Sequence, residues 1–252
     1  MATVAILAIT KIVHYRNRLK GKSARYGTIS IPEVPLEKFC TIFTPKIHGI
    51  SLNAEVFFVS AGGSGVCGTT SDTEAWILAA MSKQAMCMFE FGTASGRTSY
   101  LWARNSGPSS KIHTLTLHPD QEHAYNNPSK EKEQADPSAI NEITYNSFIY
   151  SDTEQAQKIK QHFGDSQKFD ESQFLKKCDL LFIDGSHSYV FVKNDTEKAL
   201  RMLKPGGFII WHDYRNDVEH TQGVYRFLNE LSHDIPIVQL KNTTLAGYQS
   251  PP

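Results

Sequence analysis

The feature of this sequence that most limits its fold is an alternation of short apolar runs with helical patterns, which extends from Ser71 to the end of the chain. Ser71-Asp-Thr-Glu74 has the form of a capping box, so the first helix is predicted to begin there. Strands that alternate with helices build βαβ units, and these give a parallel sheet covered on both faces. The sequence therefore predicts an α/β domain. The predicted strands lie at residues 85–91, 112–117, 178–184, 208–211, 235–240 and 244–248.

Two parts of the chain lack this alternation. Residues 1–70 have no sustained period, and we interpret them as an N-terminal extension that covers the active site or makes an oligomer contact. Residues 118–150 are polar, and we interpret them as a mobile insertion on the substrate side. The apolar run at residues 2–10 is interrupted by Lys11 and is too short to span a bilayer, so no integral membrane segment is expected.

Charge and cysteine content exclude several classes of function. Lys plus Arg and Asp plus Glu are 26 each, so the formal net charge is zero, and no general attraction to nucleic acid is expected. The four cysteines form no Cys-x-x-Cys pair. This spacing argues against a zinc ribbon or a disulfide framework and is typical of a cytoplasmic protein.

The first strand end with unusual residues is Glu90-Phe-Gly-Thr-Ala-Ser-Gly96-Arg-Thr98. In an open parallel sheet, ligands bind at the carboxyl ends of the strands. Gly92 and Gly96 carry no Cβ, so the backbone can turn sharply there and approach a ligand. Their spacing is G-x-x-x-G, which differs from the G-x-G-x-x-G of nicotinamide enzymes. An acid beside a pyrophosphate would be repelled, so Glu90 favours a ligand with a free amino group, although a glycine pair alone is also consistent with a plain turn.

Two later strand ends combine carboxylates with imidazoles. Asp184 ends one predicted strand, and His212-Asp213 ends the next, so these side chains are expected to converge across the sheet. Carboxylate and imidazole ligands together suit a divalent cation. His187 follows Asp184 by three residues, and its imidazole titrates near neutral pH, so it is a candidate general base. A packing or surface role for this histidine is the alternative interpretation.

Together these motifs resemble a known family. E-x-G-x-x-x-G-x-T after a strand resembles the first motif of class I S-adenosylmethionine-dependent methyltransferases, particularly the catechol O-methyltransferase-like group. The combination D-G-x-H-x-Y, K-P-G-G and W-H-D-Y resembles a bacterial subfamily that modifies sugars and other natural products. The resemblance extends over about residues 71–248. It implies a methyltransferase domain at 71–252 with a Rossmann-like, seven-stranded, mostly parallel sheet whose last strand is antiparallel.

The resemblance also implies roles for individual residues. Thr116 stands where the family has a ribose-binding acid, and a hydroxyl is a weaker partner than a charged acceptor. Residues 165–167 resemble the adenine-contacting turn, although a polar loop is the plainer interpretation. The resemblance assigns catalysis to His187 and Asp184. It assigns the binding of a divalent cation (Mg²⁺ or Mn²⁺) to Asp184, His212 and Asp213. The resemblance assigns the binding of S-adenosylmethionine to Glu90, Gly92, Thr93, Gly96, Thr98, Thr116, Asp165, Ser166, Gln167 and Asp184.

The function that these residues imply is methyl transfer from S-adenosylmethionine to a hydroxyl of a small-molecule or sugar acceptor, with metal assistance. One alternative is a metal-independent methyltransferase that uses His187 and His212. A second is a non-catalytic adenosyl-binding protein, which the loss of the acid at Thr116 suggests. A nicotinamide oxidoreductase is disfavoured by the glycine spacing. A homo-oligomer is left open.

Overall fold

The structure is a computed structural model that describes residues 31–62, 70–118, 145 and 147–252. The N-terminal apolar run and most of the interpreted insertion at 118–150 lie outside these residues. The helices are α1 (Leu36–Phe39), α2 (Asp72–Ser82), α3 (Arg97–Asn105), α4 (Tyr189–Met202) and α5 (Gln222–Leu231). The strands are β1 (Glu33–Val34), β2 (Pro45–Lys46), β3 (Gly49–Ile50), β4 (Cys87–Phe91), β5 (Lys111–Thr116), β6 (Ile159–Phe163), β7 (Cys178–Ile183), β8 (Leu203–Trp211), β9 (Val238–Leu240) and β10 (Ala246–Gln249).

Eight strands form one sheet in the order β1-β9-β10-β8-β7-β4-β5-β6, and β2 and β3 form a separate hairpin. All pairs in the large sheet are parallel except those of β10, which runs antiparallel to β8 and β9. The predicted Rossmann-like, mostly parallel sheet with an antiparallel last strand is therefore confirmed. The predicted count of seven strands is wrong, because β1 adds an eighth at the edge beside β9. A two-residue strand is too short to leave a periodic pattern in the sequence.

Apolar side chains alternate between the two faces of the central strands and form two cores. On one face, Phe89, Phe91 and Leu181 pack with helices α4 and α5. On the other face, Met88 and Phe182 pack with helices α2 and α3. This arrangement buries both faces of the parallel strands, as continuous apolar runs require.

The helix predicted at Ser71 begins as expected. The Ser71 hydroxyl accepts a hydrogen bond from the Glu74 amide at 3.3 Å, and Glu74 Oε2 accepts one from the Ser71 amide at 3.0 Å, which completes the capping box. One strand was extended beyond its prediction: β8 begins at Leu203 and runs through Lys204-Pro-Gly-Gly207, with a register shift against β7. Strand β6 was not predicted, because its central residues are polar.

The described part of the N-terminal extension packs on the second core. Phe43 is fully buried, and its ring lies 5.3 Å from that of Trp76 in α2. The ring of Phe39 meets Phe208 of β8 at 5.4 Å. Residues 34–54 thus contribute apolar surface to the same core as helices α2 and α3. Within the described residues, no helix is both long enough and apolar enough to cross a membrane.

Candidate active site

The site lies at the carboxyl edge of the sheet, where the central strands end side by side. Phe91 of β4 pairs with Ile183 of β7, and Ile183 pairs with Trp211 of β8. The residues that follow these strands therefore meet: the glycine turn after β4, Asp184 after β7, and His212 after β8. Because β5 lies beside β4 and β6 lies beside β5, all in parallel, the predicted residues that follow these strands also come to this edge.

Glu90 is the acid of the first turn, and it is buried with only 2% of its surface exposed. Its Oε2 accepts hydrogen bonds from Ser99 Oγ at 2.6 Å and from Thr114 Oγ1 at 2.7 Å. Burial raises the pKa of Glu90 to about 8, although the hydroxyl donors act in the opposite direction. Burial therefore favours the neutral form of this carboxyl, and a positive group beside it would favour the ionised form, as expected of an acid that binds an ammonium group.

The glycines of this turn face protein atoms at close range. Gly92 has φ +96°, and a Cβ built there would collide with the backbone carbonyl of Asp184. Gly96 has φ +79°, and its Cβ would lie 2.5 Å from Cε1 of Tyr150. Both positions need glycine because the backbone is left-handed and space is absent. A larger residue at Gly92 would thus act first on the contact between β4 and β7.

The charged cluster after β7 and β8 is compact. His212 Nδ1 lies 2.9 Å from Asp184 Oδ1 and 2.9 Å from Asp213 Oδ2. His187 Nε2 lies 3.0 Å from the same Oδ2 of Asp213. Ligand atoms of Asp184, His212 and Asp213 all fall within 4.8 Å of one another, an arrangement that could hold a metal ion.

The cluster places an imidazole among carboxylates. Burial alone would lower the pKa of His212, but Asp184, Asp213 and Glu74 outweigh it and raise that pKa well above its usual range. Burial likewise opposes ionisation of Asp213, but the contacts with His187 and His212 hold its pKa well below the usual range. The geometry therefore supports an ionised Asp213 between two histidines.

Comparison with known proteins identifies the family. A family model described as a methyltransferase domain matches residues 89–214, which is half of the chain and includes every strand end of the site. The chain belongs to this methyltransferase family. Among curated proteins, none matches the chain by sequence.

Solved structures share the fold of this methyltransferase at low sequence identity. The O-methyltransferase TomG from Streptomyces achromogenes, involved in tomaymycin synthesis and in complex with S-adenosylmethionine, has a TM-score of 0.50 and 17% identity, over 72% of this chain and 82% of its own. The S-adenosylhomocysteine-bound methyltransferase PaMTH1 from Podospora anserina has a TM-score of 0.51 and 15% identity, over 73% of this chain and 80% of its own. At such identities the likeness is one of fold.

The remaining predicted residues of the methyltransferase turn have internal partners. Thr93 is 3% exposed, and its hydroxyl lies 2.7 Å from that of Thr114 rather than facing open space. Thr98 is in the first turn of α3, and its hydroxyl is one of the groups that lower the pKa of Glu90. Both threonines thus support the Glu90 carboxyl.

The predicted ribose and adenine residues end β5 and β6. Thr116 is half-buried, and its carbonyl accepts a hydrogen bond from the Gly164 amide at 2.9 Å. Asp165 Oδ1 accepts a hydrogen bond from the Gln167 amide at 2.9 Å, which closes the turn. Ser166 hydrogen-bonds to Asp195 of α4, whose pKa burial raises to about 6. Gln167 is exposed.

Glu74 is a site residue that sequence reasoning missed. Besides its role in the capping box, its Oε2 lies 3.4 Å from His212 Nε2. Its Oε1 accepts hydrogen bonds from the Thr244 amide and hydroxyl at 2.7 and 2.8 Å. The capping motif accounts for Glu74 locally, and no sequence signal links it to a histidine 138 residues away.

Proposed function

We propose that this methyltransferase transfers a methyl group from S-adenosylmethionine to a hydroxyl of a small-molecule or sugar acceptor. The observation that carries the proposal is the meeting, at one sheet edge, of a buried acid suited to an ammonium group with a histidine–aspartate pair. The neighbours TomG and PaMTH1, which are bound to S-adenosylmethionine and S-adenosylhomocysteine, support the cofactor. A formal net charge of zero supports an acceptor that is not a polyanion.

The residues of the first turn fit such a cofactor. Glu90 would hold the amino group of the methionine part, because a positive charge offsets the cost of burying its carboxylate. Thr116, at the end of β5, would offer its hydroxyl to the ribose, and residues 165–167, after β6, would offer polar groups to the adenine. When bound, the cofactor supplies a methyl group on a sulfonium, which is already activated for attack by oxygen.

The protein's own contribution to the reaction is to align the acceptor hydroxyl and take its proton. His187 is the proposed base. With Nε2 of His187 donating to Asp213 Oδ2 at 3.0 Å, Nδ1 would be the nitrogen that takes the acceptor's proton, and the ionised Asp213 would stabilise the imidazolium that forms. The site would also accelerate the reaction by holding the acceptor oxygen near the methyl group.

We also propose that Asp184, His212 and Asp213 hold a divalent cation, Mg²⁺ or Mn²⁺. Their ligand atoms are close enough together, and buried carboxylates require a compensating positive charge. Such a cation would lower the pKa of the acceptor hydroxyl. The metal-independent alternative has its own support, because the raised pKa of His212 lets an imidazolium supply that charge.

Calorimetry and turnover with the whole 252-residue chain test the methyltransferase proposal. Wild-type protein is expected to bind S-adenosylhomocysteine and to methylate at least one member of a panel of hydroxyl acceptors. His187→Ala should bind S-adenosylhomocysteine like the wild type but turn over about 10²–10⁴-fold more slowly, the usual contribution of a positioned base. His220→Ala is the matched control, because His220 is exposed and contacts Asp217, which lies outside the site.

Three results would contradict the proposal in different ways. Binding of a nicotinamide cofactor without adenosyl binding would exclude the cofactor. Adenosyl binding with no methylation of any acceptor would favour the non-catalytic binding protein. Full turnover by His187→Ala would remove His187 as the base and leave the methyl transfer itself intact.

A further inference from the structure

A chain of hydrogen bonds connects Tyr150, the last residue of the segment interpreted as an insertion, to the buried acid of the cofactor turn. The Tyr150 hydroxyl donates to Gln161 Oε1 at 2.5 Å, and Gln161 Nε2 donates to Thr93 Oγ1 at 3.1 Å. The hydroxyls of Thr93 and Thr114 lie 2.7 Å apart, and Thr114 donates to Glu90 Oε2 at 2.7 Å. We call this set of residues the Tyr150–Glu90 chain.

The direction of the chain is fixed at both of its ends once Glu90 is ionised. Gln161 Nε2 also donates to the backbone carbonyl of His162 at 2.8 Å, and a carbonyl can only accept, so the amide orientation of Gln161 is set. With Glu90 ionised, Thr114 must donate to it. Since a hydroxyl has one proton, Thr93 must then donate to Thr114 and accept from Gln161. Every donor therefore points toward Glu90.

Tyr150 is fastened to the same turn by its packing. Its side chain is buried with 5% exposed, and its ring covers Gly96 so closely that no Cβ would fit between them. The amide of Ile149 donates to the Ser95 carbonyl at 3.0 Å. The ring of Phe148 stacks on that of Tyr150 at 5.3 Å. Segment 148–150 and the turn at residues 92–96 thus form one packed unit.

We propose that Tyr150, Gln161 and Thr93 are positioning residues that fix the rotation of the Glu90 carboxyl for the amino group of the cofactor. This inference rests on the proposed S-adenosylmethionine site. Polarised chains strengthen their terminal bond, so donors aligned toward Glu90 stabilise its ionised form when an ammonium group arrives. The same contacts make binding at the methionine end depend on segment 148–150. Tyr150 acts on Glu90 through Gln161, Thr93 and Thr114.

Two ligands that differ at the methionine end test this role. S-adenosylhomocysteine carries the amino group, whereas 5′-methylthioadenosine keeps the adenosine and thioether but lacks the amino-acid part. Calorimetry should show that Thr93→Val weakens the binding of S-adenosylhomocysteine about tenfold. Valine lacks the hydroxyl that donates to Thr114 and accepts from Gln161. Tyr150→Phe should weaken it about two- to tenfold. Neither variant should change 5′-methylthioadenosine affinity by more than about twofold, because that ligand has no amino group for Glu90 to bind.

Conservative and distant variants separate positioning from packing. Thr93→Ser keeps the hydroxyl and should restore wild-type selectivity between the two ligands. Tyr150→Phe keeps the ring on Gly96, so it remains informative even if Thr93→Val fails to fold. Tyr248→Phe, a buried tyrosine of β10, is the matched control and should leave both affinities unchanged.

The inference is overturned if Thr93→Val and Tyr150→Phe bind both ligands like the wild type, or lose both ligands equally. In either case a wild type that binds S-adenosylhomocysteine still upholds the proposed cofactor site, and turnover tests the proposed function separately. A wild type that binds neither ligand overturns the proposed function and this inference together.

Discussion

At the scale of single residues, the most unusual group is the buried carboxyl of Glu90. Burial raises its pKa from the ordinary 4.5 to about 8. As pH rises above 4.5 the unfolded chain loses this proton, while the folded protein keeps it until about 8. The folded state binds the extra proton in that window, so the stability due to this group is full below 4.5 and is lost as pH rises through 8.

Glu90→Gln tests this titration, because the amide is neutral at every pH. In chemical unfolding of the ligand-free protein, the wild type should lose stability relative to Glu90→Gln between about pH 5 and pH 8, by up to about 1.4 kcal/mol per pH unit. Glu219→Gln, an exposed glutamate, should follow the wild type. Parallel pH profiles for wild type and Glu90→Gln would show that Glu90 titrates at an ordinary pH in the folded protein.

At the scale of elements, the site is a consequence of where β7 and β8 end. Ile183 and Trp211 are paired across the two strands, so Asp184 and His212 follow them at the same level. Asp213 then has φ +56°, a left-handed conformation that is costly for a non-glycine residue. This conformation accompanies contacts of the Asp213 carboxylate with both His187 and His212.

Removal of metal tests whether these strand ends hold a cation. If they do, treatment with EDTA or the change Asp213→Ala should lower turnover about 10²-fold or more, because metal assistance contributes several kcal/mol. S-adenosylhomocysteine affinity should stay nearly unchanged. Asp217→Ala is the control, since Asp217 is more exposed and lies outside the cluster. Turnover that survives chelation would select the metal-independent mechanism with His187 and His212.

At the scale of the whole molecule, the boundary predicted at Ser71 stays a prediction, and the packing of residues 31–54 bears on it. Phe43 precedes that boundary but is fully buried against α2 in the second core. A segment that shares a core with a domain is expected to unfold together with it. The described part of the extension is therefore expected to be structurally continuous with the methyltransferase domain.

Phe43→Ala measures this continuity. Truncation of a fully buried phenylalanine should cost about 3–5 kcal/mol and shift one cooperative transition, followed by far-ultraviolet circular dichroism during urea unfolding. Leu52→Ala is the matched change in the same segment, and it should cost no more than about 0.5 kcal/mol because Leu52 is 85% exposed. An unshifted main transition in Phe43→Ala would show that the extension is a separate appendage.

The sequence predicted those features that are encoded locally. The capping box at Ser71 and the apolar strands β4 and β7 depend on neighbouring residues, and both were found as predicted. Strand β6 was missed because it lies at the sheet edge and is polar.

Contacts between distant residues could not be predicted in the same way. The approach of Glu74 to His212 joins residues 138 apart, and the contact of Tyr150 with Gln161 depends on how the chain returns after residue 118. Strand order brought the candidate residues to one edge, but the partners of Thr93 and Thr98 emerged only from packing.

Glu74 both caps α2 and contacts His212, and this links local opening of the helix to the site. The first turn of a helix ordinarily frays in microseconds without effect on the remainder of the molecule. Here the glutamate that closes the first turn of α2 also contacts His212 and holds Thr244, so opening that turn exposes the histidine cluster to water. Slow amide hydrogen exchange at the start of α2 is therefore expected to report on a site whose histidine lies 138 residues away in sequence.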